Sequence, residues 1–179
     1  MKFTELELKG AFLIELDIKK DERGWFSRIF CKKEFSILGH TKEWVQINHS
    51  TSKNCGTIRG LHFQKKPFEE IKLVRCISGK IFDVIVDIRT NSETYLKWLS
   101  VELSAENKNM LYIPEGFAHG FQTLSDDVEI IYHHTEFYSP ENEGGIRYND
   151  PILKINWPLP ISYISDRDLN HILINSITL

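Results

Sequence analysis

The chain has 179 residues, with 22 Lys and Arg against 25 Asp and Glu for a formal net charge of −3. Its 41% hydrophobic and 26% charged residues exclude a disordered or collagen-like polymer and predict one domain over 1–179, burying roughly 70% of its unfolded surface. Near-neutral charge without a basic cluster leaves no electrostatic footprint for nucleic acid or an anionic membrane.

The opening Met1-Lys-Phe-Thr-Glu-Leu-Glu7 has no apolar signal core, which argues against secretion and for a cytoplasmic protein. Cys31, Cys55 and Cys76 are odd in number and lack a Cys-x-x-Cys spacing, so they read as reduced thiols. Residues 59–64 (Arg59-Gly-Leu-His62-Phe-Gln64) read as a strand with Gly60, His62 and Gln64 on one face. Two β-rich runs, 71–77 and 81–88, flank Ser78-Gly79-Lys80 and predict a hairpin. In the second run Phe82, Val84, Val86 and Ile88 share one face, and Ile81, Asp83, Ile85 and Asp87 the other. The two aspartates also break the most apolar stretch, so no segment reads as spanning a bilayer. Further strands are expected at 94–103, 110–113, 119–123 and 128–137. The spacing predicts an all-β antiparallel sandwich or jelly roll. Trp157-Pro-Leu-Pro160 stops any strand, and Ser165-Asp-Arg-Asp168 predicts a short helix capped by Ser165.

Several side chains carry potential chemistry. His62, between a glycine and an amide, suits a general base, although a lone strand histidine is more often simply hydrogen-bonded in a core. His119 follows Pro114-Glu-Gly116-Phe-Ala, a spacing that resembles the second half of the cupin signature, in which the histidine can bind metal. The partner position holds Gln64, and an amide is a poor transition-metal ligand, so a metal-free cupin is favoured. Tyr132 shares a face with Val128, Ile130 and His134, and reads as a proton donor or an ordinary strand tyrosine. Lys72 heads a strand, where lysine is usually solvated. Asp83 and Asp87 need partners if buried. His49, His133 and His171 have no evident partner.

Taken in order, the motifs resemble the dTDP-4-dehydrorhamnose 3,5-epimerase family over nearly the whole chain. They are Asp21-Glu-Arg23-Gly-Trp-Phe26, Gln46-Ile-Asn48, Arg59-Gly-Leu-His62-Phe-Gln64, Lys72-Leu-Val, Phe82-Asp83-Val, Leu103-Ser-Ala-Glu-Asn107, Ile113 to Phe121, Tyr132, Tyr138-Ser-Pro140, Asn149-Asp-Pro151 and Ser165 to Asp168. The resemblance implies a cupin jelly roll and a homodimer whose N-terminal segments help complete the neighbouring site. It implies epimerisation at C3 and/or C5 of a nucleotide-linked 4-keto-6-deoxy sugar without cofactor or metal. By position His62 matches the base, Tyr132 the proton donor, Asp168 the carboxylate paired with the base, and Lys72 the cation near the enolate oxygen. Arg23, Arg59, Phe26, Arg28, Gln46, Asn48, His119, Tyr138, Glu143 and Arg167 match substrate contacts, and Asp83 a support for Lys72 or the base.

Other readings stay open at this point: a 3,4-ketoisomerase, an epimerase acting at C3 or C5 alone, and a non-catalytic sugar-nucleotide-binding cupin. One departure bears on the base. Arg28 stands where the family usually has a glutamate contacting thymine. Arginine offers only donors, so it suits acceptor edges such as those of guanine or cytosine. Alternation with Phe26 would set it at the edge of a stacked base, making a GDP- or CDP-linked sugar the runner-up.

Overall fold

The structure, a computed structural model, describes residues 1–176; residues 177–179, the end of the expected single unit, lie outside the described residues. Strands dominate, in two facing sheets that form a jelly roll. The first sheet contains, in spatial order, β1 (Lys2–Glu5), β2 (Phe12–Glu15), β10 (Met110–Ile113), β7 (Lys72–Ser78), β12 (Val128–His134) and β5 (Gln46–Ser52). The second contains β13 (Glu143–Gly145), β6 (Thr57–Gln64), β11 (Phe117–Thr123), β8 (Lys80–Asp87) and β9 (Trp98–Ser104). A two-residue strand, β14 (Tyr163–Ile164), runs parallel to β6. A separate ribbon pairs β3 (Lys19–Asp21) with β4 (Gly24–Phe26). Helices are single turns, α1 (Lys32–Phe35) and α2 (Asp166–Leu169).

The expected hairpin at 71–88 is instead a corner. β7 pairs with β10 and β12, whereas β8 pairs with β9 and β11 in the other sheet. Gly79, at φ +69°, turns the chain from one layer to the next, and a Cβ there would lie 2.5 Å from Ser125 Oγ. The physical reason is burial. Val74 and Cys76 of β7 face Ile81 and Ile85 of β8 within one cluster between the sheets. Stacking the strands face to face removes both apolar surfaces from water, a gain of about 1.5–3 kcal/mol per large side chain.

Alternation in β8 sorts its two faces as expected. Ile81 and Ile85 enter the inter-sheet core, while Val84, Val86 and Ile88 join Leu61, Phe63 and Ala118 in a second cluster outside the sheet. That outer face is closed by Ile146, Leu153, Ile155 and Ile174. The C-terminal segment is thus a third layer.

Two expected strands are trimmed. The run at 94–103 becomes β9 only from Trp98, because the Ser92 and Thr94 hydroxyls donate to the Asp87 carboxylate at 2.6 Å each and fix a turn. The run at 128–137 ends at His134, where Thr135 Oγ1 accepts from the Ile71 N–H. The expected helix forms as α2, with the Ser165 hydroxyl accepting from the Asp168 N–H at 3.1 Å.

Candidate active site

A cavity of about 340 Å³ opens between the two sheets, lined by Arg59, His62, Lys72, His119, Tyr132, Arg167 and Asp168 among others. Period two explains the convergence. On β6, Leu61 and Phe63 face outward, so His62 points into the interior. Phe117 and Phe121 of β11 lie in the inter-sheet core, which puts His119 on the same side. From the opposite sheet, Lys72 shares its face with Val74 and Cys76, and Tyr132 with Val128 and Ile130.

His62 and Asp168 are 106 positions apart but form a tight pair, Nε2 to Oδ1 at 2.7 Å. The other Asp168 oxygen accepts from the Gly60 N–H at 3.1 Å. His171 Nε2 lies 3.4 Å from Oδ1, within ion-pair range. Burial works to raise the Asp168 pKa, yet His171, His62 and the Gly60 amide outweigh it and hold the carboxyl far below its usual range. An ionised carboxylate only accepts, so His62 Nε2 carries the hydrogen and Nδ1 is the basic nitrogen. Burial lowers the His62 pKa more than Asp168 raises it, with Lys72 and Arg167 adding to the lowering. The imidazole is therefore neutral near pH 7, as a base must be.

The Gly60 amide reaches Asp168 because β6 and β11 approach closely at a bulge between His119 and Phe121. A Cβ on Gly60, at φ +118°, would lie 2.6 Å from Gly120 Cα and 2.8 Å from the His119 carbonyl oxygen. Only glycine permits that approach.

The lysine has a different partner from the one expected. Asp83 is fully buried and binds His119, Nε2 to Oδ1 at 2.6 Å, so it supports neither Lys72 nor the base. Lys72 Nζ lies 3.1 Å from Glu70 Oε1, and Glu70 Oε2 is 2.6 Å from His134 Nδ1. Glu70 lies in the loop that precedes β7, where strand alternation gives no signal for its place beside Lys72. Two histidines without an evident partner acquire acidic ones: His49 pairs with Glu129 at 2.9 Å, and His171 approaches Asp168. His133 Nδ1 is buried without a partner among the described residues.

The remaining expected contacts fall into two groups. Gln46, Asn48, Tyr138, Glu143 and Arg167 are linked: the Tyr138 hydroxyl donates to Glu143 at 2.9 Å, and Arg167 also pairs with Glu143. Arg59 lines the cavity and is braced by Ser52 Oγ at 3.0 Å and the Thr51 carbonyl at 2.8 Å. Arg23 and Phe26 sit on the β3–β4 ribbon outside the cavity, with Arg23 paired to Asp21 and 90% of its side chain exposed. Arg28 follows the end of β4, so strand alternation with Phe26 does not extend to it, and its guanidinium binds Glu34 at 2.7 Å. Gln64 spends its amide on the chain itself, donating to the Phe68 and Phe137 carbonyls and accepting from the Ser139 N–H. His62, Asp168 and His171 are close enough together to hold a cation. Two of the three, however, already bond each other in the His62–Asp168 pair.

The fold and cavity define a class: a cupin-type jelly roll with a histidine–carboxylate pair, a tyrosine and a lysine facing one another across the sheets. The family model for dTDP-4-dehydrorhamnose 3,5-epimerase matches residues 5–176, and the chain belongs to that family. The dTDP-4-dehydrorhamnose 3,5-epimerase of Shigella flexneri is 46% identical over 171 residues, covering 95% of this chain and 94% of that protein. The dTDP-6-deoxy-D-glucose-3,5-epimerase of Legionella pneumophila, solved with dTDP-4-keto-L-rhamnose, superposes with a TM-score of 0.94 at 41% identity, covering 99% of this chain and 94% of the other. The Bacillus anthracis dTDP-4-dehydrorhamnose 3,5-epimerase, solved with TDP and pyrophosphate, gives 0.94 at 42% identity, with coverage of 97% and 99%. Among the described residues no helix is long and apolar enough to cross a membrane.

Proposed function

We propose that this chain epimerises C3 and C5 of a dTDP-linked 4-keto-6-deoxy sugar. The observation that carries the reading is the meeting of the His62–Asp168 pair and Tyr132, from opposite sheets, in a cavity that also holds Lys72. A 4-keto group acidifies the hydrogens on C3 and C5, because either carbanion delocalises onto the carbonyl oxygen. His62 Nδ1 takes the proton, the C–H electron pair moves into the C–C bond, and the keto oxygen becomes an enolate oxygen. Asp168 stabilises the imidazolium that forms. The Lys72 ammonium sits where it offsets the enolate charge. Tyr132 then delivers a proton to the opposite face of the carbon, and proton exchange with solvent restores both groups. Neither redox cofactor nor Lewis acid enters this sequence.

Arg59 and Arg167, with the Tyr138–Glu143 pair, suit the diphosphate and sugar side of the ligand, a guanidinium fork matching phosphate oxygens. The GDP or CDP alternative loses its support, since the Arg28 guanidinium is engaged by Glu34 and the relatives carry dTDP in their names. Arg23 and Phe26 act, in this reading, on a second copy. The β3–β4 ribbon projects exposed Trp25 and Phe26, and edge strand β5 leaves Ile47 exposed, features that suit a homodimer with shared sites.

The test is solvent deuterium incorporation into dTDP-4-keto-6-deoxy-glucose, read carbon by carbon. Label at both C3 and C5 with inverted product is expected. Label at one carbon only would make it a monoepimerase, and none would remove the reading.

A further inference from the structure

Buried His134 and Glu70, whose side chain is 10% exposed, are bonded to each other and have no role so far. β7, β12 and β5 are in register here: Lys72 stands opposite His134, and His134 opposite Gln46. Across these strands runs an unbroken series of contacts whose polarity can be worked out from one end. The Tyr138 backbone N–H can only donate, and it donates to Gln46 Oε1 at 3.1 Å. Gln46 therefore presents its NH₂ to Asn48, and Nε2 donates to Asn48 Oδ1 at 3.1 Å. Asn48 in turn presents its NH₂ to His134 Nε2 at 3.2 Å. That nitrogen accepts, so the His134 hydrogen is on Nδ1. Nδ1–H donates to Glu70 Oε2 at 2.6 Å, and Oε1 faces the Lys72 ammonium at 3.1 Å.

The charges around the lysine give this chain its consequence. The Lys72 side chain is 11% exposed, and its only ion pair among the described residues is with Glu70. The other titratable groups lining its cavity are Arg59, Arg167, His62, His119, Tyr132 and Asp168. The one carboxylate among them is bonded to His62, Asp83 behind the lining is bonded to His119, and Arg167 pairs with Glu143. Burial alone would raise the Glu70 pKa, but Lys72 and His134 lower it on balance, so it stays ionised.

Resting on the epimerase reading above, we propose that Glu70 and His134 are positioning residues for the reaction. They keep the Lys72 ammonium charged and aimed into the cavity, and they tie it through Asn48 and Gln46 to the chain at Tyr138. Neither touches the reacting carbons.

The measurement is the pH dependence of kcat and of C3/C5 deuterium exchange from about pH 6 to about pH 10, with dTDP affinity as a check on folding. Glu70→Gln keeps the shape and removes the charge. Its alkaline limb is expected to move down by about one pH unit or more, because an ammonium without its counter-ion loses its proton more readily. His134→Phe fills the ring's space without hydrogen bonds and is expected to lower kcat about tenfold, less than removal of an oxyanion donor itself. His134→Gln offers an N–H and a carbonyl in place of the two ring nitrogens and should restore most of the loss. Wild-type alkaline limbs and kcat in Glu70→Gln and His134→Phe would overturn the proposal while leaving the epimerase reading intact. If Glu70→Gln fails to bind dTDP, the two His134 variants decide: equal kcat in both refutes the role, and loss with rescue supports it. Absence of exchange in the wild type would remove the underlying reading instead.

Discussion

At the scale of single residues, His62 and Tyr132 have separable expected effects. His62→Asn removes the base and should abolish deuterium exchange at C3 and C5 while dTDP still binds. Tyr132→Phe keeps the ring in its place against the core and removes only the hydroxyl. Exchange catalysed by His62 should persist there while inverted product falls by about 10²-fold or more. Exchange in His62→Asn at the wild-type rate, or full inversion by Tyr132→Phe, would contradict these assignments. Chelation is a further expectation: exhaustive dialysis against EDTA should leave turnover unchanged, because Gln64 gives its amide to the Phe68, Phe137 and Ser139 backbone. Activity lost to chelation and recovered with one divalent metal would refute it. His62, Lys72, Tyr132 and Asp168, which line one cavity, were legible together only through the ordered motifs of the family resemblance. The pairing of His62 with Asp168 was legible in the same way, whereas that of Lys72 with Glu70 was not. The resemblance set Asp83 beside Lys72 or the base, but the register of β11 against β8, with Phe121 opposite Asp83 and His119 two residues back, brings His119 to it.

Elements were legible where the residues specify them locally. Period two in 81–88 predicted both faces of β8, and Ser165 with Asp168 predicted the cap of α2. The corner at Gly79 was not legible, since a glycine turn between two β-rich runs looks the same whether the strands pair in one sheet or stack in two. The β6–β11 crossing was also invisible, as nothing local in Arg59-Gly60-Leu61 says that a second glycine, Gly120, must lie against it. That crossing has a measurable consequence. Gly60→Ala puts a Cβ within 2.6 Å of Gly120 Cα at a backbone angle that L residues rarely adopt. The strain is about 1–3 kcal/mol, lowering Tm by roughly 5 °C for a chain of this size. Because the Gly60 N–H is bonded to Asp168, kcat should fall as well. A melting curve and a kcat both equal to wild type would show that the strands separate freely at this point.

For the molecule as a whole, ionisation gives stability a definite pH slope. Burial holds the His40 and His133 pKa values below that of a free imidazole. At Asp87, burial alone would raise the pKa, but bonds from Arg89, Ser92 and Thr94 bring it down to about 2. Each group has a folded-state pKa below its unfolded one, so in each case the unfolded chain binds more protons as the solution is acidified. The stabilisation is complete above the unfolded values, near pH 6.5 for histidine and pH 4 for aspartate, and is lost as pH falls. Tm should therefore decline from about pH 6.5 downward and more steeply below about pH 4. A Tm that stays flat between pH 7 and pH 5 would contradict the histidine part. The third layer also joins structure to activity in time. Asp168 belongs to the C-terminal stretch whose Ile146, Leu153, Ile155 and Ile174 close the second sheet, and it is synthesised after the strands that carry His62, Lys72 and Tyr132. A nascent chain can therefore have His62, Lys72 and Tyr132 in place while the imidazole still lacks the carboxylate that sets its tautomer. In the proposed reaction turnover then waits for the layer that carries Asp168, and a chain stopped short of it is expected to lack the pairing even where its strands fold.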